Sequence, residues 1–223
     1  MPLSKSNADE KILSYGDVVL RRSDLDILRG PYDINDRLIE FFFAYLSPPD
    51  PVLLFSPSVS FWLSNCPDPV SLSEAAGPLK LHLRDLVLFT INNNSDVTAA
   101  EGGTHWSLLV YYRGTNKFVH HDSSRGMNRW HAESLFEAVK GFIGDGGEAR
   151  YVEGFAPQQS HGYDCGLYVM AIARVVCDWF REAEVKDEGE SWFSALKEEV
   201  DAAVVAELRG ELLRLILGLM ETK

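Results

Sequence analysis

Gly162-Tyr163-Asp164-Cys165-Gly166 stands directly before a long apolar run, Leu167 to Phe180. The first residues favour a turn and the apolar run predicts a buried helix, so Cys165 is expected at the N-terminus of that helix. Unpaired backbone N–H groups and the positive end of the helix dipole stabilise a thiolate there. Cys165 is therefore a candidate nucleophile. The alternative, a small buried apolar side chain, fits Cys66 and Cys177 better.

A thiolate nucleophile needs a base, and the preceding strands supply a candidate. Extended runs at His105 to Tyr112 and Lys117 to Asp122 flank the turn-forming residues 113–116, which predicts an antiparallel hairpin. In such a hairpin the start of the first strand lies beside the end of the second, so that His105 and Asp122 can meet. A carboxylate there orients the imidazole and stabilises its cation. Taken singly, His105 also fits a hydrogen-bonded sheet residue, and Asp122 a turn-capping carboxylate.

The short loop before the cysteine contains Gln158 and Gln159. A glutamine amide that folds back on the nucleophile can donate to an oxyanion, together with the N–H group of Cys165. Gly166 would also let a substrate backbone approach closely. Two adjacent glutamines are otherwise simply solvated.

The remaining chain predicts strands in the middle with helices on both sides, which is typical of an α+β domain with a small sheet covered by helices. We predict an extended piece at Tyr15 to Leu20 and strands at Leu86 to Ile91 and Ala149 to Glu153. Helices are predicted at Arg37 to Leu46, with capping residues in Asp33 to Asp36, at Pro57 to Ser64 and at Ala132 to Ile143, and one or two amphipathic helices at Trp192 to Met220, with Gly210 as a weak point. Loops are predicted at Leu72 to Pro78 and Asn92 to Gly103.

The composition is that of a soluble globular protein. The 223 residues, 46% hydrophobic and 24% charged, favour a single domain over residues 1–223, with residues 1–10 as a flexible lead. No apolar run approaches the roughly 18 residues of a membrane helix, and the N-terminus resembles neither a secretory signal nor a transit peptide. We therefore expect a cytoplasmic or nuclear protein without membrane contact. The three cysteines lack metal-site spacing and predict neither structural zinc nor disulfides.

The formal net charge is −12, from 33 acidic and 21 basic residues. Such a surface repels nucleic acid phosphates and favours a partner with a basic face. Alternatively, the acidic excess only keeps the protein soluble, since part of it lies in Glu182 to Glu190.

Three segments together resemble the Ulp/sentrin-specific protease family of cysteine proteases. The order His, Asp, Gln, Cys and the six-residue step from Gln159 to Cys165 match that family. Within that family the chain is most similar to the deneddylases, including those of plants. These enzymes act on the ubiquitin-like modifier called Rub in plants and Nedd in animals. The segments are Gly102-Gly103-Thr104-His105-Trp106-Ser107-Leu108-Leu109-Val110-Tyr111, His120-His121-Asp122-Ser123 and Pro157-Gln158-Gln159-Ser160-His161-Gly162-Tyr163-Asp164-Cys165-Gly166, with further similarity at residues 12–15, 20–24, 34–36 and 91–95.

This resemblance implies a papain-like fold with a small mixed sheet and a reaction that uses neither metal nor cofactor. The implied roles are Cys165 as nucleophile, His105 as general base and acid, Asp122 as the group that orients His105, and Gln159 with the Cys165 amide as oxyanion hole.

The resemblance also implies residues that bind the substrate. Trp106 would form part of a narrow tunnel over the modifier's C-terminal Gly-Gly, or else be an ordinary buried sheet tryptophan. Asp36, with Asn35, is a candidate for holding a basic residue of the modifier's tail, with helix capping as the alternative for Asp36. Many relatives carry an aromatic residue where this chain has Asp33, with Tyr32 one position earlier.

We expect a monomeric thiol isopeptidase that processes the Nedd/Rub precursor and removes the modifier from conjugated proteins, cullins being a candidate class. A desumoylase of the same family is the alternative enzyme. A modifier-binding module without catalysis disagrees with the intact His, Asp, Gln and Cys set. An acetyltransferase lacks the basic cluster that a phosphorylated acyl carrier requires.

Overall fold

A mixed sheet of five strands lies at the centre of the computed structural model, which describes residues 8–99, 102–144, 148–182 and 192–222. Its strands run in the order β3-β4-β5-β6-β7, and β1 and β2 form a separate antiparallel pair. The strands are β1 (Lys11–Tyr15), β2 (Val18–Arg21), β3 (Val52–Phe55), β4 (Leu86–Asn92), β5 (Trp106–Tyr112), β6 (Lys117–His121) and β7 (Arg150–Glu153).

Helices cover both faces of the sheet. The residues of β5 alternate between the two faces: Leu108 and Val110 pack in the larger core, and Leu109 and Tyr111 in the smaller one. The expected α+β architecture with a mixed sheet is confirmed. The helices are α1 (Arg22–Arg29), α2 (Asp36–Leu46), α3 (Pro57–Ser64), α4 (Pro69–Ala76), α5 (Arg129–Val139), α6 (Cys165–Glu182), α7 (Trp192–Glu199) and α8 (Ala202–Glu221).

The predicted hairpin is confirmed. Strands β5 and β6 pair antiparallel, with Leu108 opposite His121 and Tyr112 opposite Lys117. The start of β5 therefore lies beside the end of β6. The outer pairs, β3 with β4 and β6 with β7, are parallel, which makes the sheet mixed.

Two local predictions are wrong for identifiable reasons, and a third is refined. The piece at Tyr15 to Leu20 is split by a turn at Gly16, whose φ of 55° suits glycine, so that two strands form instead of one. The predicted loop at Leu72 to Pro78 contains most of α4, because Asp68 caps this helix and proline occupies its first position. The prediction of one or two C-terminal helices is confirmed, since there are two, α7 and α8. They separate at Asp201, which caps α8, and not at Gly210, which lies inside that helix.

Most of two sequence features lies outside the described residues. For the predicted lead these are residues 1–7, and for the acidic stretch residues 183–190. Among the described residues, no helix is both long and apolar enough to cross a membrane. The same residues contain no group of three or more His, Cys, Asp or Glu side chains placed to hold a metal ion.

Candidate active site

The candidate nucleophile occupies its predicted position. Cys165 is the first residue of α6, and the carbonyl of Asp164 accepts the N–H groups of Leu167 at 2.9 Å and Tyr168 at 3.1 Å. Only 1% of Cys165 is exposed. Because α6 starts at this residue, the thiol lies where the helix dipole favours negative charge.

Gly166 allows close packing at the start of α6, while its predicted role in the approach of a substrate backbone stays a prediction. A Cβ atom at this position would lie 2.6 Å from Cβ of Ile34, closer than side chains tolerate. The glycine therefore lets the first turn of α6 pack directly against Ile34. This contact brings the segment before α2 next to the nucleophile.

His105 and Asp122 meet where the hairpin places them. Nε2 of His105 donates to Oδ1 of Asp122 over 2.6 Å, and both side chains are almost fully buried. Burial alone would lower the pKa of His105, but hydrogen bonds with Asp122 and Cys165 and the charge of Asp122 raise it to about 9. Since Nε2 is bonded to Asp122, Nδ1 is the ring nitrogen that remains for the thiol. The imidazole thus lies between carboxylate and thiol and is cationic at neutral pH.

The Asp122 carboxylate is held in its ionised form. Burial by itself would raise its pKa, but donors on three residues outweigh that effect and lower it. His105 and the backbone N–H of Ser124 donate to Oδ1, and the backbone N–H of Asn128 donates to Oδ2 at 3.0 Å. The carboxylate is therefore fixed in orientation before any substrate binds, and it orients His105 in turn.

A polar network behind this pair was not predicted from the sequence. Nδ2 of Asn128 lies 3.2 Å from the carbonyl of His105 and 3.0 Å from Oγ of Ser107. Ser107 in turn is bonded to Nε2 of His120 at 2.9 Å, and Nδ1 of His120 faces Glu153 at 3.1 Å. The available signal was the presence of polar residues in otherwise apolar strands. Ser107 and His120 are diagonal neighbours across the hairpin, because His120 lies opposite Leu109.

Gln159 lies beside the loop that leads to the nucleophile, and its amide is bonded to protein groups. Its Oε1 accepts from Oγ of Ser123 at 2.8 Å, while Nε2 donates to the carbonyls of His161 at 3.1 Å and Gly162 at 3.4 Å. The role of Gln159 as an oxyanion donor stays a prediction. In that role Nε2 would exchange its bond to the carbonyl of Gly162 for one to the substrate. Gln158 is bonded to the backbone of Asp122 and Ala156.

Trp106 joins the hairpin to the segment before α2. Its Nε1 donates to the carbonyl of Ile34 over 2.9 Å, and Ile34 also contacts the first turn of α6 at Gly166. Trp106, Ile34 and Cys165 consequently form one neighbourhood. The tryptophan is only partly buried, which leaves part of its ring available to a bound chain.

The two other predicted substrate residues have different environments. Asn35 caps α2, with Oδ1 accepting the N–H of Leu38 at 3.0 Å and Nδ2 donating to Asp24 at 2.7 Å. Both polar ends of Asn35 are therefore engaged within the protein. Asp36 is not the cap, contrary to the alternative weighed for it. It is the first residue of α2, is exposed, and accepts the N–H of Arg37 at 2.8 Å.

A neutral histidine supports the strand that ends at Asp122. Nδ1 of His121 donates to the carbonyl of Phe155 at 2.6 Å, and Nε2 accepts from Nε1 of Trp192 at 3.1 Å. Burial lowers the pKa of His121 to about 4. Because the unfolded chain binds this proton near pH 6.5, folding loses stability as the pH falls from 6.5 to 4.

We expect the free energy of unfolding to fall by about 1 kcal/mol between pH 7.5 and 5.5 through His121, out of a total on the order of 3 kcal/mol by pH 4. His105, whose pKa is raised to about 9, acts in the opposite sense. Its contribution is complete below pH 6.5 and is lost as the pH rises from 6.5 through 9, so acidification from pH 7.5 to 5.5 restores on the order of 1 kcal/mol in wild type and variant alike. Urea unfolding of wild type and His121→Asn at both pH values measures the difference. The variant should be less stable than wild type at pH 7.5, and this deficit should shrink by about 1 kcal/mol at pH 5.5 because the variant lacks the His121 contribution, whereas the exposed His161→Asn control should keep the wild-type dependence. An unchanged dependence in His121→Asn would refute the assignment.

Comparison with known proteins extends these observations. The model of the Ulp1 protease family, C-terminal catalytic domain, matches residues 83–179. The chain is 50% identical to NEDD8-specific protease 1 of Arabidopsis thaliana, over 98% of this chain and 97% of that protein. It is 37% identical to human Sentrin-specific protease 8, over 78% and 85% of the two chains.

The solved structures show the same fold at lower identity. The X-ray structure of the C-terminal Ulp1 protease domain in complex with Smt3, the yeast ortholog of SUMO, superimposes with a TM-score of 0.65. It shares 20% identity, with 97% of this chain and 96% of that chain covered.

Proposed function

The chain belongs to the Ulp1 protease family of cysteine peptidases, and from that premise we propose that it cleaves after the C-terminal Gly-Gly of the ubiquitin-like modifier NEDD8/Rub. It would process the modifier's precursor and remove the modifier from conjugated proteins, with cullins as a candidate class. The observation that carries the chemistry is the buried imidazole of His105 between Asp122 and Cys165. The 50% sequence identity to a NEDD8-specific protease, over 98% of this chain, supports the choice of modifier.

The geometry supports a two-step acyl transfer. The Cys165 thiolate attacks the carbonyl carbon of the last glycine, and the His105 imidazolium gives its proton to the departing amine, which leaves a thioester. His105, now neutral, takes a proton from water, whose oxygen attacks the thioester carbonyl carbon. The C–S bond then breaks, which restores the thiolate, and the new glycine carboxyl group gives its remaining proton to solvent. Asp122 keeps the ring oriented and stabilises its cation in both steps. The N–H of Cys165 and the amide of Gln159 would bind the oxyanion.

The limited access to Cys165 supports a Gly-Gly substrate. The residue is 1% exposed, and Ile34 and Trp106 lie against the same region. Only a chain without bulky side chains reaches a thiol in such surroundings. We call the surface beside Trp106 and residues 32–34, along which the modifier's tail would lie, the tail cleft. The exposed carboxylate of Asp36 follows directly after this cleft and would attract a basic residue further back in the modifier's tail.

Covalent capture tests the proposed function. We expect a NEDD8/Rub probe with a C-terminal electrophile to label Cys165 at least about 10²-fold faster than equivalent SUMO or ubiquitin probes, because sequence-specific contacts add to the shared Gly-Gly chemistry. Mass spectrometry of the adduct identifies the labelled residue, and the Cys165→Ala protein is the control. Faster labelling by SUMO would make the protein a desumoylase. Binding without labelling by any probe would make it a modifier-binding module.

A further inference from the structure

Arg209, a residue of the C-terminal helix α8, holds two segments of the site together. Its Nη1 donates to the carbonyls of Ile27 and Gly30, both at 3.0 Å. Its Nη2 donates to three further acceptors, and only 13% of the side chain is exposed. These acceptors are the carbonyls of Tyr32 at 3.1 Å and Tyr163 at 3.3 Å, and Oδ1 of Asp164 at 3.3 Å.

The acceptors belong to segments that are far apart in sequence. Residues 27–32 cover the end of α1 and the chain that leads into the tail cleft, whereas Tyr163 and Asp164 directly precede Cys165. A guanidinium is suited to this position because its planar fork offers five N–H groups. A cation is also favoured at the C-terminal carbonyls of α1, which lack partners within the helix. Arg209 thus fixes the distance between the two segments.

The wall of the tail cleft is held at both ends. At the inner end, the carbonyl of Ile34 accepts from Trp106 and the Ile34 side chain packs against Gly166. At the outer end, Arg209 binds the carbonyls of Gly30 and Tyr32. Between these anchors Tyr32 and Asp33 are exposed. Removing the outer anchor would leave the carbonyls of Gly30 and Tyr32 without these bonds and would loosen the outer end of the wall.

We infer that Arg209 is a positioning residue that sets the tail cleft for the modifier's C-terminus, an inference that rests on the proposed function. Three of its bonds, at 3.0 to 3.1 Å, go to the end of α1 and to the wall that follows it, and the two at 3.3 Å go to the nucleophile loop. Its loss should therefore impair modifier binding more than the reactivity of the thiol. Lysine, a point charge with three donors, cannot bridge all five acceptors.

Steady-state cleavage of a NEDD8/Rub C-terminal fluorogenic amide by wild type, Arg209→Lys and Arg209→Gln tests this inference. We expect KM to rise about tenfold in Arg209→Gln and less in Arg209→Lys, with kcat within about threefold of wild type, because binding is lost before chemistry. The matched control is Arg174→Ala, which removes the ion pair of Arg174 with Glu211, also a residue of α8. That control should have wild-type kinetics.

The rate at which iodoacetamide alkylates Cys165 separates cleft positioning from a general effect on the fold. This small reagent must reach the thiolate but does not depend on binding along the tail cleft, so each Arg209 variant should react within about threefold of wild type. An equal loss in alkylation and cleavage, or a KM no higher than that of Arg174→Ala, would overturn the inference alone. Wild-type protein that is alkylated but does not cleave the amide would overturn the proposed function and, with it, the role of Arg209.

Discussion

Replacing Cys165 by alanine is expected to lower kcat for a NEDD8/Rub C-terminal amide by at least about 10⁴-fold, because the nucleophile itself is removed. The affinity for the intact modifier should change little, since alanine only shortens a side chain that is already buried at the start of α6. Single-turnover assays measure the loss of cleavage, and titration with labelled modifier measures binding.

Cys177 provides a matched control on the same helix. It lies inside α6, is buried, and has a pKa raised by burial to about 12, so that it stays a neutral thiol. Cys177→Ala should therefore retain wild-type kcat at the cost of some stability. Substantial turnover by Cys165→Ala would remove Cys165 from the mechanism. Equal losses in both variants would indicate that the helix, not the thiol, had been damaged.

The sequence predicted the elements of the site whose signals are local. The apolar run from Leu167 to Phe180 was long enough to indicate a buried helix, and the helix begins at Cys165. The turn at residues 113–116 joined two extended runs, which was sufficient to place His105 near Asp122. Both results depend on hydrophobic periodicity and turn chemistry, which are properties of a short window of sequence.

Elements with weak local signals were missed. Helix α1 follows β2 without a break and buries only three side chains, so its pattern is short and largely polar. Strand β3 has four residues and owes its conformation to parallel pairing with β4. Helix α4 overlaps the predicted loop, and its start is determined by the Asp68 cap and by the proline at its first position. In each case a contact or a cap, rather than periodicity, determined the structure.

Contacts between distant segments were the least predictable part of the site. Asp24 is buried and ionically paired with Arg37, and the same carboxylate accepts from Asn35. Arg209 and the Asn128 network similarly act through carbonyls and side chains that no short motif connects. Such groups are recognised only when the fold brings their partners together. They complete the site by fixing the backbone around Cys165 and His105.

Replacing His105 by alanine is expected to lower kcat/KM by on the order of 10³- to 10⁴-fold, because the thiolate loses its counter-ion and the leaving amine loses its proton donor. In wild type the His105 pKa of about 9 keeps the ring cationic through neutral pH. We therefore expect wild-type kcat/KM to decline only above about pH 9, as the imidazolium that protonates the amine is lost. A pH profile measured with the fluorogenic amide shows this limb.

The origin of the alkaline limb can be separated from a general alkaline inactivation. The hydrogen bond and charge of Asp122 raise the pKa of His105, so Asp122→Asn should lower that pKa and move the limb to a more acidic pH while kcat also falls. His105→Ala should lose the limb altogether, whereas His82→Ala, which removes an exposed ring outside the site, should keep both rate and profile. A limb that stays near pH 9 in Asp122→Asn would mean that another group titrates there, and His105 would then act in some form other than the cation paired with Asp122.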